Sequence, residues 1–129
     1  MVVAVCIEAP KTIKRFTVAD GTAIPKGTLL KLSGDYTAIA SSGLDVFCGI
    51  AVEEKTASDG ITEIAAAQDG IWDIACSTAA VTLGAIVVLS GGDQVKNAAE
   101  ADLVLGKVVG KALEAGSSGE VIRVAVGVI

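Results

Sequence analysis

Histidine is absent from this 129-residue sequence, and aromatic residues make up only 3% of it. Without histidine, Ser-His-Asp and Cys-His nucleophile systems and histidine metal sites are excluded. Most aspartates lie in glycine-rich turns, where such side chains cap backbone amides. No calcium-loop or phosphate-loop pattern is present. The sequence therefore predicts a protein that is not an enzyme and has no metal or other cofactor.

Basic clusters and long apolar runs are also missing. The net charge is −5, from 10 Lys and Arg against 15 Asp and Glu. Since phosphate neutralisation supplies most nucleic-acid affinity, we expect no nucleic-acid partner. The longest apolar runs, such as "VTLGAIVVL" at 81–89, reach about half of the ~20 residues that a spanning helix needs. The N-terminus lacks the basic segment of a signal peptide, so we expect neither membrane insertion nor secretion.

The three cysteines, Cys6, Cys48 and Cys76, are far apart and follow no metal-ligand spacing. Each lies among apolar residues, which predicts buried thiols in a protein made in a reducing cytoplasm. A single disulfide between two of them is the alternative.

Turn-forming dipeptides such as Asp-Gly and Ser-Gly recur at short intervals, separated by runs of Val, Ile, Leu and Thr. This pattern predicts an all-β domain, a compact barrel or sandwich of short strands. The predicted strands are 12–18, 28–32, 36–40, 46–53, 61–67, 70–76, 85–89, 103–113 and 120–128. The segment "NAAEADLVL" at 97–105 is the one short helix that we expect.

The sequence also contains an internal duplication. Three pairs of segments align: 24–34 with 81–91, 49–53 ("GIAVE") with 110–114 ("GKALE"), and 61–66 with 121–126. The offset is 57 residues for the first pair and 61 for the second. Two copies are too few for a solenoid, so we expect a compact, pseudo-symmetric unit in which each half covers the other. We predict a single domain over 11–129, with pseudo-repeats of about 12–76 and 77–129.

Residues 1–10 precede this domain and are apolar on both faces of an extended chain. Val3, Val5 and Ile7 point to one face, apolar residues alternate with them on the other, and Pro10 ends the run. Such a strand needs cover on both sides. It is either a strand of its own domain or an arm that adds to the sheet of a neighbour.

Trp72 is the one tryptophan, in "GIWDIAC". Strand alternation places its side chain with Ile74 and Cys76. It is either a core anchor or a hot-spot residue at a subunit interface, where tryptophan is enriched.

The segment "GKVVGKALEAGSSGEVIRVAV" at 106–126 resembles the C-terminal signature of the capsid decoration, or head-stabilisation, proteins of tailed bacteriophages. The matching residues are Gly110, Ala112, Leu113, Glu114, Gly119, Val121, Arg123 and Val124. The likeness covers most of 20–128 through loose glycine-turn and strand motifs. "IPKGTLL" is also similar to β-clip domains, including antifreeze-like carbohydrate-binding modules.

The resemblance implies a β-clip-like, trimeric cement protein on the outer surface of an expanded capsid, where it clamps major capsid protein subunits at local threefold positions. We expect Val3, Val5 and Ile7 to contribute strand addition and Trp72 to be a further contact candidate. Deleting residues 2–8 should then abolish capsid binding in a protein that still folds. A β-clip-type carbohydrate-binding module is the alternative function.

Overall fold

The computed structural model describes residues 3–127, which form short strands and one short helix. Their bounds are β1 Val5–Glu8, β2 Ile13–Thr17, β3 Leu29–Gly34, β4 Thr37–Ala40, β5 Phe47–Ala51, β6 Glu63–Ala67, β7 Gly70–Cys76, β8 Ile86–Leu89, β9 Gln94–Asn97, α1 Glu100–Val104, β10 Val108–Ala112 and β11 Val121–Val126. The predicted all-β architecture of short strands is confirmed.

The strands close into two small barrels with the same topology. The first barrel has the strand order β2-β4-β3-β5-β6, and the second has β7-β9-β8-β10-β11. In each barrel the first and third strands along the chain pair in parallel, and the other neighbours pair antiparallel. β1 adds to the outside of β7. The pairing therefore repeats the internal duplication that the sequence predicts.

The repeat boundary differs from the predicted one. The first pseudo-repeat is predicted to run to residue 76, but β7 is the first strand of the second barrel and corresponds to β2. The change in offset from 57 to 61 also has a structural origin. The connection between β4 and β5 covers 41–46, whereas that between β9 and β10 covers 98–107 and is four residues longer. The extra residues include α1.

The repeated Gly-x-Ala-x-Glu phrase has a packing explanation. A Cβ on Gly49 would lie 2.9 Å from the Ala67 oxygen, and one on Gly110 would overlap the Ala125 oxygen. The alanines of the phrase, Ala51 and Ala112, are fully buried inside their barrels. Each copy thus has glycine where two strands approach closely and alanine where the interior is narrow.

The core is aliphatic, and it joins the two barrels. One cluster lies within the first barrel around Phe16 and Ile64. A larger cluster fills the second barrel and extends across to Leu29 and Ile50 of the first. The Leu29 amide also donates a hydrogen bond of 2.8 Å to the Gly92 oxygen. Each barrel therefore covers apolar surface of the other, as predicted.

Two elements differ from the prediction. β9 is absent from the predicted strands, since in "QVKN" only Val95 is buried and the strand carries a weak apolar signal. The predicted strand 103–113 begins only at Val108, because α1 extends through Val104. Gly106 follows the helix with φ 71, and the backbone amide of Lys107 donates a hydrogen bond to the main-chain oxygen of Asp102. This is the Schellman pattern, which ends a helix in a glycine turn.

The N-terminal residues that the structure describes form an edge strand rather than a free arm. β1 is antiparallel to β7 and belongs to the sheet of the second barrel. Residues 1 and 2 of the predicted arm, and residue 128 of the last predicted strand, lie outside the described residues.

Candidate interaction surface

The apolar residues predicted as contacts near the N-terminus lie on or beside β1, and two of them are exposed. Val5 has 57% of its surface exposed and Ile7 38%, whereas Val3 is half-buried. All four residues of β1 are exposed. The expected cover on both faces of this strand is therefore not provided by residues 3–127.

β1 has one paired edge and one open edge. Val5 lies opposite Asp73 and Cys6 opposite Trp72 on β7, with an irregular step between Cys6 and Glu8. Among the described residues no strand pairs with the other side of β1. We call this open side, with the side chains of Val5 and Ile7, the β1 edge. Its backbone amides and carbonyls can accept a further strand.

Two glycines fix the ends of this segment. Gly27 has φ +90, and a Cβ there would overlap the Ala4 oxygen. Gly70 has φ +98, and a Cβ there would lie 2.8 Å from the Glu8 oxygen. The Ala4 amide donates a 3.0 Å hydrogen bond to the Gly27 oxygen. The β1 edge is therefore held in place before any partner arrives.

An open cavity of about 340 Å³ lies beside β1. Its lining residues are Ala4, Val5, Cys6, Lys26, Gly27 and Trp72. Trp72 forms the inner wall of this cavity, since it is only 3% exposed. Its Nε1 donates a 3.0 Å hydrogen bond to the main-chain oxygen of Asp69. This position matches the core-anchor interpretation of Trp72. The tryptophan supports the β1 edge from inside the chain and is not part of the exposed surface.

The cysteines are all free, and one lies on this surface. Cys48 and Cys76 are buried as predicted, whereas Cys6 is exposed on β1. Burial raises the pKa of the Cys48 thiol to about 12. Burial and the nearby Glu120 carboxylate also raise the pKa of Cys76. The expectation of three buried thiols is wrong for Cys6, because residues 3–127 leave both faces of β1 uncovered and its side chains in solvent.

The first barrel contains a buried lysine that no sequence pattern indicates. Lys55 is 2% exposed, and its Nζ donates 2.9 Å hydrogen bonds to the Asp59 carboxylate and the Asp20 main-chain oxygen, with a third to Thr56 at 3.2 Å. The Asp20 carboxylate lies 3.5 Å away. The lysine hydrogen bond and the Ile61 amide lower the pKa of Asp59 to about 2. A buried ammonium with this many acceptors is satisfied and holds the loop 55–59 onto the turn at Asp20.

A second missed feature is the apolar exterior of α1. Val104 is 88% exposed, Leu105 57% and Leu103 44%. These residues lie in the four-residue-longer connection that the first barrel lacks. The only sequence signal is the run "DLVLG", which strand periodicity explains equally well.

No group of three or more Cys, Asp or Glu in residues 3–127 is placed to hold a metal ion. No helix in this part of the chain is long and apolar enough to cross a membrane. The sequence matches no protein-family model, and no curated protein aligns with it significantly.

Proposed function

We propose that this chain is a structural virion protein that binds the outer surface of an assembled phage capsid and stabilises it. Its partner is the major capsid protein, and it acts as a homotrimer. It is made in the host cytoplasm and remains on the virion. The role requires a rigid fold and an interface, and it involves neither catalysis nor nucleic acid nor membrane.

One observation carries the proposal, namely the open apolar β1 edge on an otherwise closed fold. Closing a sheet into a barrel removes its edges, which otherwise promote aggregation. In the described part of the chain, both barrels are closed and β1 is the terminal strand of its sheet. A free protein with exposed Val5 and Ile7 on such a strand has an evident docking element.

The proposed binding mode is strand addition. An extended segment of a capsid subunit pairs with β1, so that main-chain hydrogen bonds supply affinity and side chains supply specificity. One apolar side chain of the partner enters the cavity between Val5 and Gly27. Lys26 at the cavity wall favours a carboxylate next to that side chain.

Capsid stabilisation then follows from mass action. A ligand that binds only the assembled capsid stabilises it by about 2.7 kcal/mol for each site when its free concentration is 100 times Kd. Many copies on one shell multiply this effect. The net charge of −5 keeps the free protein soluble despite its apolar composition.

The test is co-sedimentation with capsids before and after expansion. We expect stoichiometric binding to expanded capsids and none to immature ones. The double variant Val5→Glu with Ile7→Lys should lower capsid affinity at least about tenfold, because charges at a buried contact are left unpaired. Val121→Glu is the matched control, since Val121 is a 51% exposed strand residue on β11. Equal loss of binding in the control, or none in the double variant, would refute the β1 edge as the contact.

Native mass tests the proposed trimer. Light scattering of the free protein should give three times 12.8 kDa across dilution. Deletion of residues 2–8 is harder to interpret than the point variants, because Ala4 is part of the core and β1 pairs with β7. Unfolding of the deletion variant would therefore report the structural role of β1, whereas the double variant reports its contact role.

A further inference from the structure

Tyr36 has an unusual backbone conformation for a large residue. It lies in the turn between β3 and β4 with φ 49, in the left-handed region, and its surface is 72% exposed. Residues other than glycine, asparagine and aspartate rarely adopt this conformation, because Cβ crowds the backbone. An exposed side chain also gains little from packing, so neither backbone nor burial accounts for the tyrosine.

The second barrel satisfies the same hairpin in another way. In the turn between β8 and β9 the positive φ lies at Gly91 (φ 105), which aligns with Gly34, and Asp93 takes the place of Tyr36. The fold itself therefore does not require tyrosine in this turn. Non-glycine residues held in left-handed conformations cluster at ligand sites, where the side chain is needed in one position.

The Tyr36 side chain forms one wall of an open cavity of about 320 Å³. We call this the Tyr36 cavity, and its lining residues are Lys14, Phe16, Leu32, Tyr36 and Gln68. The Tyr36 ring centroid lies 6.1 Å from that of Phe16, with the ring planes tilted by 30°. The buried Phe16 ring thus packs near the exposed Tyr36 ring, and both rings line the cavity.

The lining of the Tyr36 cavity carries a net positive charge. Lys14 forms no ion pair with any of the described residues and is the one charged residue in the lining. The Gln68 amide Nε2 donates a 3.0 Å hydrogen bond to the Cys48 oxygen, which leaves its Oε1 as an acceptor. A ligand that fits these groups has a flat face for the tyrosine, an anionic group for the lysine and a donor for the glutamine.

We propose that the Tyr36 cavity binds a ring compound that carries a carboxylate. The ring stacks on Tyr36, and the carboxylate accepts a charge-assisted hydrogen bond from the Lys14 ammonium. The cavity volume is at the lower end for small-molecule sites and holds one ring. For a ligand of this size at an open site, Kd is on the order of 1 mM. The proposal is independent of capsid binding, because the cavity lies on the first barrel and the β1 edge on the second.

Two sources supply this chemistry, namely an acidic saccharide and an aromatic acid, and the experiment distinguishes them. The full-length ¹⁵N-labelled protein is titrated with glucuronate, benzoate and glucose, and amide shifts are followed by NMR. We expect shifts at residues 14, 36 and 68 with glucuronate or benzoate, and much weaker effects with uncharged glucose. Binding of glucuronate identifies the saccharide as the source, and binding of benzoate alone identifies the aromatic acid.

Variants separate the ring from the charge. Tyr36→Asn removes the ring at a residue type that accepts positive φ, and it should abolish binding. Lys14→Gln should raise Kd on the order of tenfold, whereas Lys107→Gln on the second barrel should leave it unchanged. Thermal unfolding verifies that each variant is folded.

Three results would overturn the proposal. They are the absence of local shifts with both acids at tens of millimolar, equal binding of glucose and glucuronate, and unchanged binding by Tyr36→Asn. A drop in native mass on Tyr36→Asn would instead assign the exposed ring to a contact between copies of this chain, which also contradicts a ligand role.

Discussion

Lys55 and Gly116 occupy the same position in the two barrels, although one is a buried lysine and the other has no side chain. Lys55 forms an antiparallel bridge with Ile24, and Gly116 forms the corresponding bridge with Val81. A Cβ on Gly116 would lie 2.5 Å from Ile122 Cγ2. The second barrel therefore closes this corner by apolar packing, whereas the first closes it by a polar network around one ammonium group.

Replacing Lys55 by methionine should destabilise the first barrel. The substitution removes the ammonium that three oxygen atoms contact at 3.2 Å or less. We expect a loss of about 2–3 kcal/mol in the free energy of unfolding, less than for a fully buried pair, because the carboxylates of Asp20 and Asp59 keep contact with water. Urea denaturation measures this loss. The exposed Lys11→Met is the control and should change stability by less than about 0.5 kcal/mol. Equal effects of the two variants would show that the network around Lys55 contributes nothing.

The same network makes stability depend on pH in the acid range. The hydrogen bond from Lys55 and the amide of Ile61 lower the pKa of Asp59 to about 2 in the folded chain. In the unfolded chain an aspartate has a pKa of about 3.9. Because the folded pKa is lower, the stabilisation is complete above about pH 4 and is lost as the pH falls towards 2. The free energy of unfolding should therefore decrease over this interval, with a smaller slope in Asp59→Asn. Identical slopes would contradict the assignment.

The duplication could be predicted because glycine and alanine are needed for steric reasons in both copies. Gly49 and Gly110 lie where a Cβ would meet the neighbouring strand. Ala51 and Ala112 fill interiors too narrow for larger residues. Such constraints act on residue type at fixed spacing, so they are visible in a sequence. The strand β1 is one of the two predicted alternatives for the N-terminus, because residues 1–10 are apolar on both faces.

The surroundings of Lys55, Val104 and Tyr36 could not be predicted in this way. They depend on the tertiary structure and leave no local pattern in the sequence. Lys55 in "VEEKTASDG" reads as part of a solvated charge run, and only the folded loop turns its ammonium inward onto Asp20. The exposure of Val104 depends on a helix end set by Gly106, in the segment 103–105 where the predicted helix and the predicted strand overlap. Tyr36 looks like an ordinary strand residue until its positive φ is known. In each case the side-chain environment is determined by a turn whose geometry the sequence does not specify.

Gly27 should be essential for docking β1, and the duplication supplies its control. Gly27 and the equivalent Gly84 both have positive φ, at +90 and +77, but a Cβ would meet other atoms within 4 Å only at Gly27, where it would contact Ala4 and Val3. Gly84→Ala should cost about 1 kcal/mol for the left-handed backbone. Gly27→Ala should cost a further ~1–3 kcal/mol from the clash. Hydrogen exchange should show faster exchange at Val5–Glu8 in Gly27→Ala alone. Equal exchange at β1 in both variants would show that the N-terminal strand is held by other contacts.

Thiol labelling should distinguish Cys6 from the two buried cysteines. The thiolate is the reactive form, and burial raises the pKa of Cys48 to about 12, so almost none of it is ionised at pH 8. Cys76 is buried as well, and its pKa is raised in the same direction. Iodoacetamide should therefore modify one thiol in the native protein and all three in urea, as counted by mass spectrometry. A Cys6→Ser variant should show no native labelling. Binding of a strand at the β1 edge should slow the labelling of Cys6, which makes this thiol a reporter for the proposed interface. Rapid native labelling of Cys48 would instead show that the first barrel opens to solvent, and the closed-barrel account of its core would then be wrong.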